Sequence, residues 1–268
     1  MAEKKELVAQ VVGGVDTHQD LHTAAVVTID GEILGVKDFS TTRAGYRAML
    51  ARFRSQGDLL RVGVEATGSY GASITRHLGL AGVPVLEVTG PNAATRRGYG
   101  TDDSIDAISA ARAALTGQRT SVTKDRSGAV EALRVLRATR KTAVRCRRAT
   151  LQQVHNTVVA SPEEVRDLVR HMTRMQLIRT CASWRPDTIA FRDPVVATRM
   201  VLKSLVWRIL DLNDEMADLD RHIRLLVTEL APNLLALPGV GIENGGEFLV
   251  AAGDNPERLR SEAGFAML

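Results

Sequence analysis

The sequence predicts an α/β fold: a mixed sheet with one antiparallel meander and helical crossovers, then an all-helical region. Three observations carry this. Strand and helix signals alternate from Val11 to Leu115. Asp30-Gly31, a strong short hairpin signal, separates two strand-like runs. From Leu202 to Leu230 apolar residues step by three and four without a miss, a helical period.

Val11 to Val15 is an apolar run and reads as a buried first strand. His22 to Ile29, rich in Val, Thr and Ala, is the second. After the turn, Ile33 to Phe39 alternates apolar and polar residues and completes the meander. Arg43 to Phe53 reads as a helix capped by Thr41 or Thr42. Arg61 to Ala66 is a fourth strand, Gly68 to Leu80 a helix closed by Gly82, and Val83 to Val88 a fifth strand. Pro91 starts a short helix, and Asp102 or Asp103 caps another that runs to about Leu115. Val130 to Val159 has helical spacing, and Ser161-Pro162-Glu163-Glu164 restarts a helix. Pro186 and Pro194 punctuate the segment that follows. The seam of Leu202, Leu205, Ile209, Leu212, Met216, Leu219, Ile223, Leu226 and Leu230 fits a coiled-coil arm or a dimer helix, and equally one helix of a bundle. An antiparallel arm is favoured, because the preceding helices are able to fold back on it.

Composition sets bounds. The chain has 268 residues, 44% hydrophobic and 25% charged, which is ordinary for a globular protein. Aromatics are only 4%, so the core is aliphatic. The net charge of +4 is mild but unevenly placed. From Lys124 to Arg148 there are nine basic residues against two acids, which suits a polyanion or a solvated helix face. Within it Arg134, Arg137, Lys141, Arg145 and Arg148 recur at helical steps and form a basic stripe, a candidate nucleic-acid contact. Cys146 and Cys181 lack metal-ligand spacing and read as reduced thiols. The N-terminus has no signal-type apolar core, and no apolar run is long enough to span a membrane. The expected location is the cytoplasm.

Four carboxylates carry the chemistry. Asp16 ends the first strand, in Val-Gly-Gly-Val-Asp-Thr-His, and Glu65 ends the fourth, in Val-Gly-Val-Glu-Ala-Thr-Gly. Asp103 and Asp106 open the last helix of the first third. Taken singly, each is explained by capping or by a strand end. Taken as a set, acids at the ends of core strands are costly unless something binds them. Converging carboxylates suit magnesium, with manganese as the alternative. Two such ions about 4 Å apart activate a nucleophile and stabilise a leaving oxygen at phosphate. His18 and Tyr70 flank the set. The Gly-rich turn after Glu65 lacks the lysine of a nucleotide phosphate loop, which excludes that class. In the tail, Leu237-Pro238-Gly239-Val240-Gly241 is similar to the turn of helix-hairpin-helix units, so Gly239 and Gly241 are candidate phosphate contacts.

At these residues the chain resembles the DEDD transposases of the insertion-sequence 110 family. The matching stretches are Gly14 to His18, Val64 to Tyr70, and Asp103 to Ala107 with Ala110 to Arg112, while Leu234 to Arg260 is similar to the start of the family's second region. The resemblance implies a ribonuclease H-like (RuvC-like) domain over 9–125, a helical coiled-coil region over 126–230, and over 231–268 the start of a C-terminal transposase domain with a helix-hairpin-helix-like segment. It implies magnesium-dependent DNA cutting and rejoining, guided in some members by an element-encoded RNA. It implies Asp16, Glu65, Asp103 and Asp106 as ligands of two ions. The third acid is Asp103 or Asp102, and the spacing of three to Asp106 favours Asp103. The family's nucleophilic serine would lie beyond Leu268, so the chain reads as truncated, without complete recombination activity. The expected partners are DNA, a guide RNA, and a second copy joined through Leu202 to Leu230. Two other readings stand beside this one: a stand-alone RuvC-like nuclease or junction resolvase, and a non-catalytic nucleic-acid-binding fragment. A sugar-kinase-like ATPase is disfavoured, since the tail carries no adenosine-binding glycine motif.

Overall fold

In the computed structural model, residues 9–89, 102–126, 128–255, 259 and 261–263 are described. The short helix expected from Pro91 lies outside them. The chain divides into two units, residues 1–128 with 253–268, and residues 129–252.

The first unit is built on six strands: β1 (Gln10–Thr17), β2 (Leu21–Thr28), β3 (Ile33–Ser40), β4 (Asp58–Glu65), β5 (Val85–Val88) and β6 (Thr120–Val122). Their order is β3-β2-β1-β4-β5-β6. The meander β1-β2-β3 is antiparallel, β4 and β5 join parallel, and β6 closes the edge antiparallel. This is the ribonuclease H-like mixed sheet that the resemblance implies. Three described helices accompany it: α1 (Arg43–Ser55), α2 (Ala72–Leu80) and α3 (Asp103–Thr116).

Alternation along β1 assigns its two faces. Val11, Gly13 and Val15 face α1 and α2, in a cluster with Met49, Phe53, Ile74 and Leu78. Val12, Gly14 and Asp16 face the other way, toward α3, whose buried side is all alanine: Ala107, Ala110, Ala111, Ala113 and Ala114. Small residues on both sides let the helix lie against the sheet. A Cβ on Gly14 would stand 2.1 Å from the Ala111 amide nitrogen, and one on Gly63 would stand 2.5 Å from the Ala110 carbonyl oxygen.

Local chemistry explains the helix ends. Thr42 caps α1 through the Gly45 amide. Asp102 caps α3, and Gly117 closes it in the left-handed conformation at φ +71°. α2 begins at Ala72 rather than Gly68, because the chain first turns at Ala66, with φ +47°, and through residues 67–71.

The second unit is helical: α4 (Ala129–Val159), α5 (Glu163–Val169), α6 (Arg174–Ser183), α7 (Pro194–Leu230), α8 (Pro232–Leu235) and α9 (Ile242–Ala252). α7 starts seven residues before the predicted Val201, at Pro194 in its first turn, with Asp193 capping the Val195 amide. The two long helices run antiparallel, since Arg140 meets Asp220, Arg147 meets Asn213, and Leu133 packs with Ile223 and Val227. At the other end Leu202, Leu205 and Ile209 pack with Val154, Val165 and Ile178. The buried part of the seam is therefore covered within the unit. Burial pushes the Cys181 thiol up to about 11, as befits a core residue. Among the described residues no helix is long and apolar enough to cross a membrane.

Candidate functional site

The acids of the first unit converge at one end of the sheet because of strand register and helix seating. Val15 pairs with Val64 on the neighbouring parallel strand, so Asp16 and Glu65 follow side by side. Both lie on the α3 face, in phase with Gly14 and Gly63. The Thr17 hydroxyl donates to the Glu65 carbonyl at 3.1 Å and ties the two strand ends together. α3 begins beside them and carries Asp103 and Asp106 in its first turn.

The closest grouping is Asp16, His18 and Asp103, with one donor atom from each within 4.8 Å of the others. His18 Nε2 stands 3.0 Å from Asp16 Oδ2 and 3.3 Å from Asp103 Oδ1. Asp106 lies one turn on along α3, and with Glu65 it stands outside that tight group. Asp102 is committed elsewhere: its Oδ1 accepts from the Ser104 amide at 3.3 Å.

Magnitudes decide what this arrangement requires. Like charges at Asp103 and Asp106 cost a few tenths of a kcal/mol. Burying Asp16, which keeps only 8% of its surface, costs several kcal/mol unless a positive partner is present. Burial pushes the Asp16 carboxyl upward, the His18 ring pulls it down, Asp103 and Asp106 push it up again, and the net shift is upward. Partial burial of His18 opposes its charging, but Asp16 and Asp103 outweigh that and raise its pKa. A hard divalent cation fits the same demand: oxygen donors, one of them buried and rigid, with an imidazole beside them.

A cleft of about 450 Å³ opens next to this group, lined by His18, Asp20, Thr23, Asp38, Tyr70 and Asp103 among others. Nothing in the local sequence marks Asp38 or Asp20 as site residues. Asp38 accepts from the Thr23 hydroxyl at 2.7 Å, directly across the β2–β3 register, and only the strand pairing discloses it.

The expected basic stripe divides. Arg134 forks onto Glu131, with both bonds at 2.7 Å. Arg137 is nearly buried, donating to the Glu243 carbonyl and pairing with Glu247. Lys141, Arg145 and Arg148 are exposed. Gly239, at φ +82°, and Gly241 form an open turn ahead of α9, with no atom within 4 Å of a built Cβ.

A ribonuclease H-like sheet with acids gathered at strand ends defines a class of phosphoryl-transfer proteins. Within it, the family model of the insertion-sequence 110 DEDD transposase matches residues 13–161, more than half of the chain, and the chain belongs to that family of transposases. No curated protein matches it.

Proposed function

We propose that this transposase binds DNA and supplies the metal-binding half of strand cutting and rejoining, the nucleophilic serine being expected from the family's C-terminal region, with divalent cations, Mg²⁺ or Mn²⁺ as a pair, held by Asp16, Glu65, Asp103 and Asp106. The observation that carries this is the buried Asp16 with Asp103 and His18, their donor atoms within 4.8 Å of one another. When bound, such ions stabilise charge at the scissile phosphate and activate the attacking oxygen. Asp16 is the rigid donor, fixed by its strand. Asp103 is favoured over Asp102 as the third acid because Asp102 is engaged in capping. Glu65 and Asp106 complete the set from β4 and from the next turn of α3. His18 partly neutralises Asp16 and Asp103 when protonated, and so holds the acids together in the absence of metal.

The cleft beside the acids admits the strand, with Tyr70 and Gln19 at its edge. Lys141, Arg145 and Arg148 offer phosphate contacts from the second unit, as does the turn at Gly239 and Gly241. The functional division is 9–125 for cutting, 126–230 for holding nucleic acid, and 231–268 for the further transposase region. An element-encoded RNA is a second polyanion for the same cations. Pairing of copies along Leu202 to Leu230 would use the exposed side of α7, where Trp207 and Leu225 lie. The place of action is the cytoplasm, on DNA.

The test is strand nicking of a DNA carrying the element's ends. Nicking that requires Mg²⁺ or Mn²⁺ and disappears in Asp106→Asn supports the reading. Equal nicking by that variant, folded as the parent, contradicts it.

A further inference from the structure

A cationic concavity lies far along the chain from the acids, within the second unit. α4, α5 and α6 enclose a groove of about 1090 Å³. Its floor is aliphatic: Leu151 and Val158 are half-buried over the core residues Val154 and Ile178, and Val144 and Val159 are exposed at its ends. Its rim is rich in arginine, from Arg145 and Arg148 on α4, Arg166 on α5, Arg170 just past the end of α5, and Arg174 at the start of α6. No aspartate or glutamate lines it. Arg170 pairs with Asp167 at 3.3 Å, outside the lining, whereas the other four make no ion pair among the described residues. All five are exposed.

We infer that this groove binds a single-stranded segment of nucleic acid, with phosphates on the arginine rim and base faces on the aliphatic floor. The inference rests on the proposed reading of this chain as a nucleic-acid protein, and it goes beyond that reading by giving the site and the strandedness. Three features select the occupant. The cations come from three separate helices, so they match a chain of phosphates rather than one anion. Guanidinium groups suit phosphate through paired N–H donors. A duplex hides its base faces in the stack and offers phosphate, sugar and the base edges at the bottom of its grooves, so an apolar floor gains little from it. An unpaired strand offers apolar base faces and phosphates together. Along α4 the groove runs from Val144 to Val159, about 22 Å at the helical rise, enough for several nucleotides. Arg166, Arg170 and Arg174 have no part in the α4 stripe, and they become its partners only through the packing of α5 and α6.

The test is fluorescence anisotropy on the full chain in EDTA, so that the metal centre plays no part. The probes are one mixed sequence as single-stranded DNA, as single-stranded RNA and as DNA duplex. The parent binds a single strand about tenfold or more tighter than the duplex, the scale of burying apolar surface equal to about one aliphatic side chain. Arg145→Gln with Arg166→Gln lowers that affinity about tenfold and reduces the salt slope by about 1.4, at about 0.7 per phosphate contact. Both changes are on exposed side chains, and an unchanged thermal melt verifies the fold. The stronger of the DNA and RNA arms identifies the source of the strand. Equal binding of strand and duplex, or an unaffected double variant, overturns the groove while nucleic-acid binding by the chain stands. No binding of any probe overturns the nucleic-acid reading as well. Displacement of the strand by polyglutamate as readily as by unlabelled strand also overturns it, since the groove would then be a general acidic-peptide site.

Discussion

Gly14 and Ala111 meet backbone to backbone: a Cβ on Gly14 would stand 2.1 Å from the Ala111 amide nitrogen and 2.3 Å from the Ala107 carbonyl oxygen. This contact seats α3 against β1, and through that seat it sets how near Asp103 comes to Asp16. The obstructing atoms belong to a helix backbone, so a methyl group cannot be absorbed by a rotamer change. Gly14→Ala therefore lifts the helix. The expected cost is about 1–3 kcal/mol by urea unfolding, together with weaker divalent binding. Parent-like stability in this variant would mean that α3 is seated elsewhere.

His18 reports on its acids. Asp16 and Asp103 hold its pKa above the usual value. A raised folded pKa contributes stability that is full below about pH 6.5, the unfolded value, and lost as pH rises through the folded one. Asp103→Asn lowers the His18 pKa, read from its ring proton shifts in an NMR titration. An unmoved titration would show that the Asp103 contact is absent in solution.

His22 behaves oppositely. It is fully buried, its ring stacked on Tyr46 at 5.8 Å, and burial lowers its pKa, with His18 adding to the effect. Below about pH 6.5 the unfolded chain binds a proton that the folded one resists, so stability falls as pH falls. His22→Phe keeps a flat ring against Tyr46 and flattens this acid limb. A limb of unchanged steepness would assign the acid loss to other groups.

Two arginines of one predicted stripe part company. Arg137 anchors α9 through Glu243 and Glu247, with 10% of its side chain exposed. Arg137→Gln costs about 1–3 kcal/mol in urea unfolding. Arg148→Gln leaves stability within about 0.5 kcal/mol and weakens nucleic-acid binding. The reverse pattern, measured on the same two variants, would contradict the assignment of roles.

The sheet and the long helices were legible because their signals are local. The Asp30-Gly31 turn, the runs around Val11 and Val62, and the period of α7 each depend on nearby residues alone. β6 was not legible, since Thr120–Val122 is a short, half-exposed edge strand without an apolar pattern. The delayed start of α2 depends on the left-handed Ala66, a residue type that gives no warning of it. The spacing of the basic stripe was legible, but the acids that engage Arg137 and its neighbour Arg140 lie 80 to 110 residues away, at Asp220, Glu243 and Glu247. The four carboxylates could be nominated from their strand and helix ends. The part of His18 as the link between Asp16 and Asp103 emerged only from the packed structure.

The most direct test of the central claim is a calorimetric titration of Mn²⁺ into the parent chain and into Asp16→Asn, with circular dichroism on both. The account predicts saturable binding by the parent. It predicts a loss in the variant greater than the roughly 10–100-fold that removal of an outer-shell partner costs, with the fold intact. Equal Mn²⁺ affinity in parent and variant would contradict the carboxylate metal site.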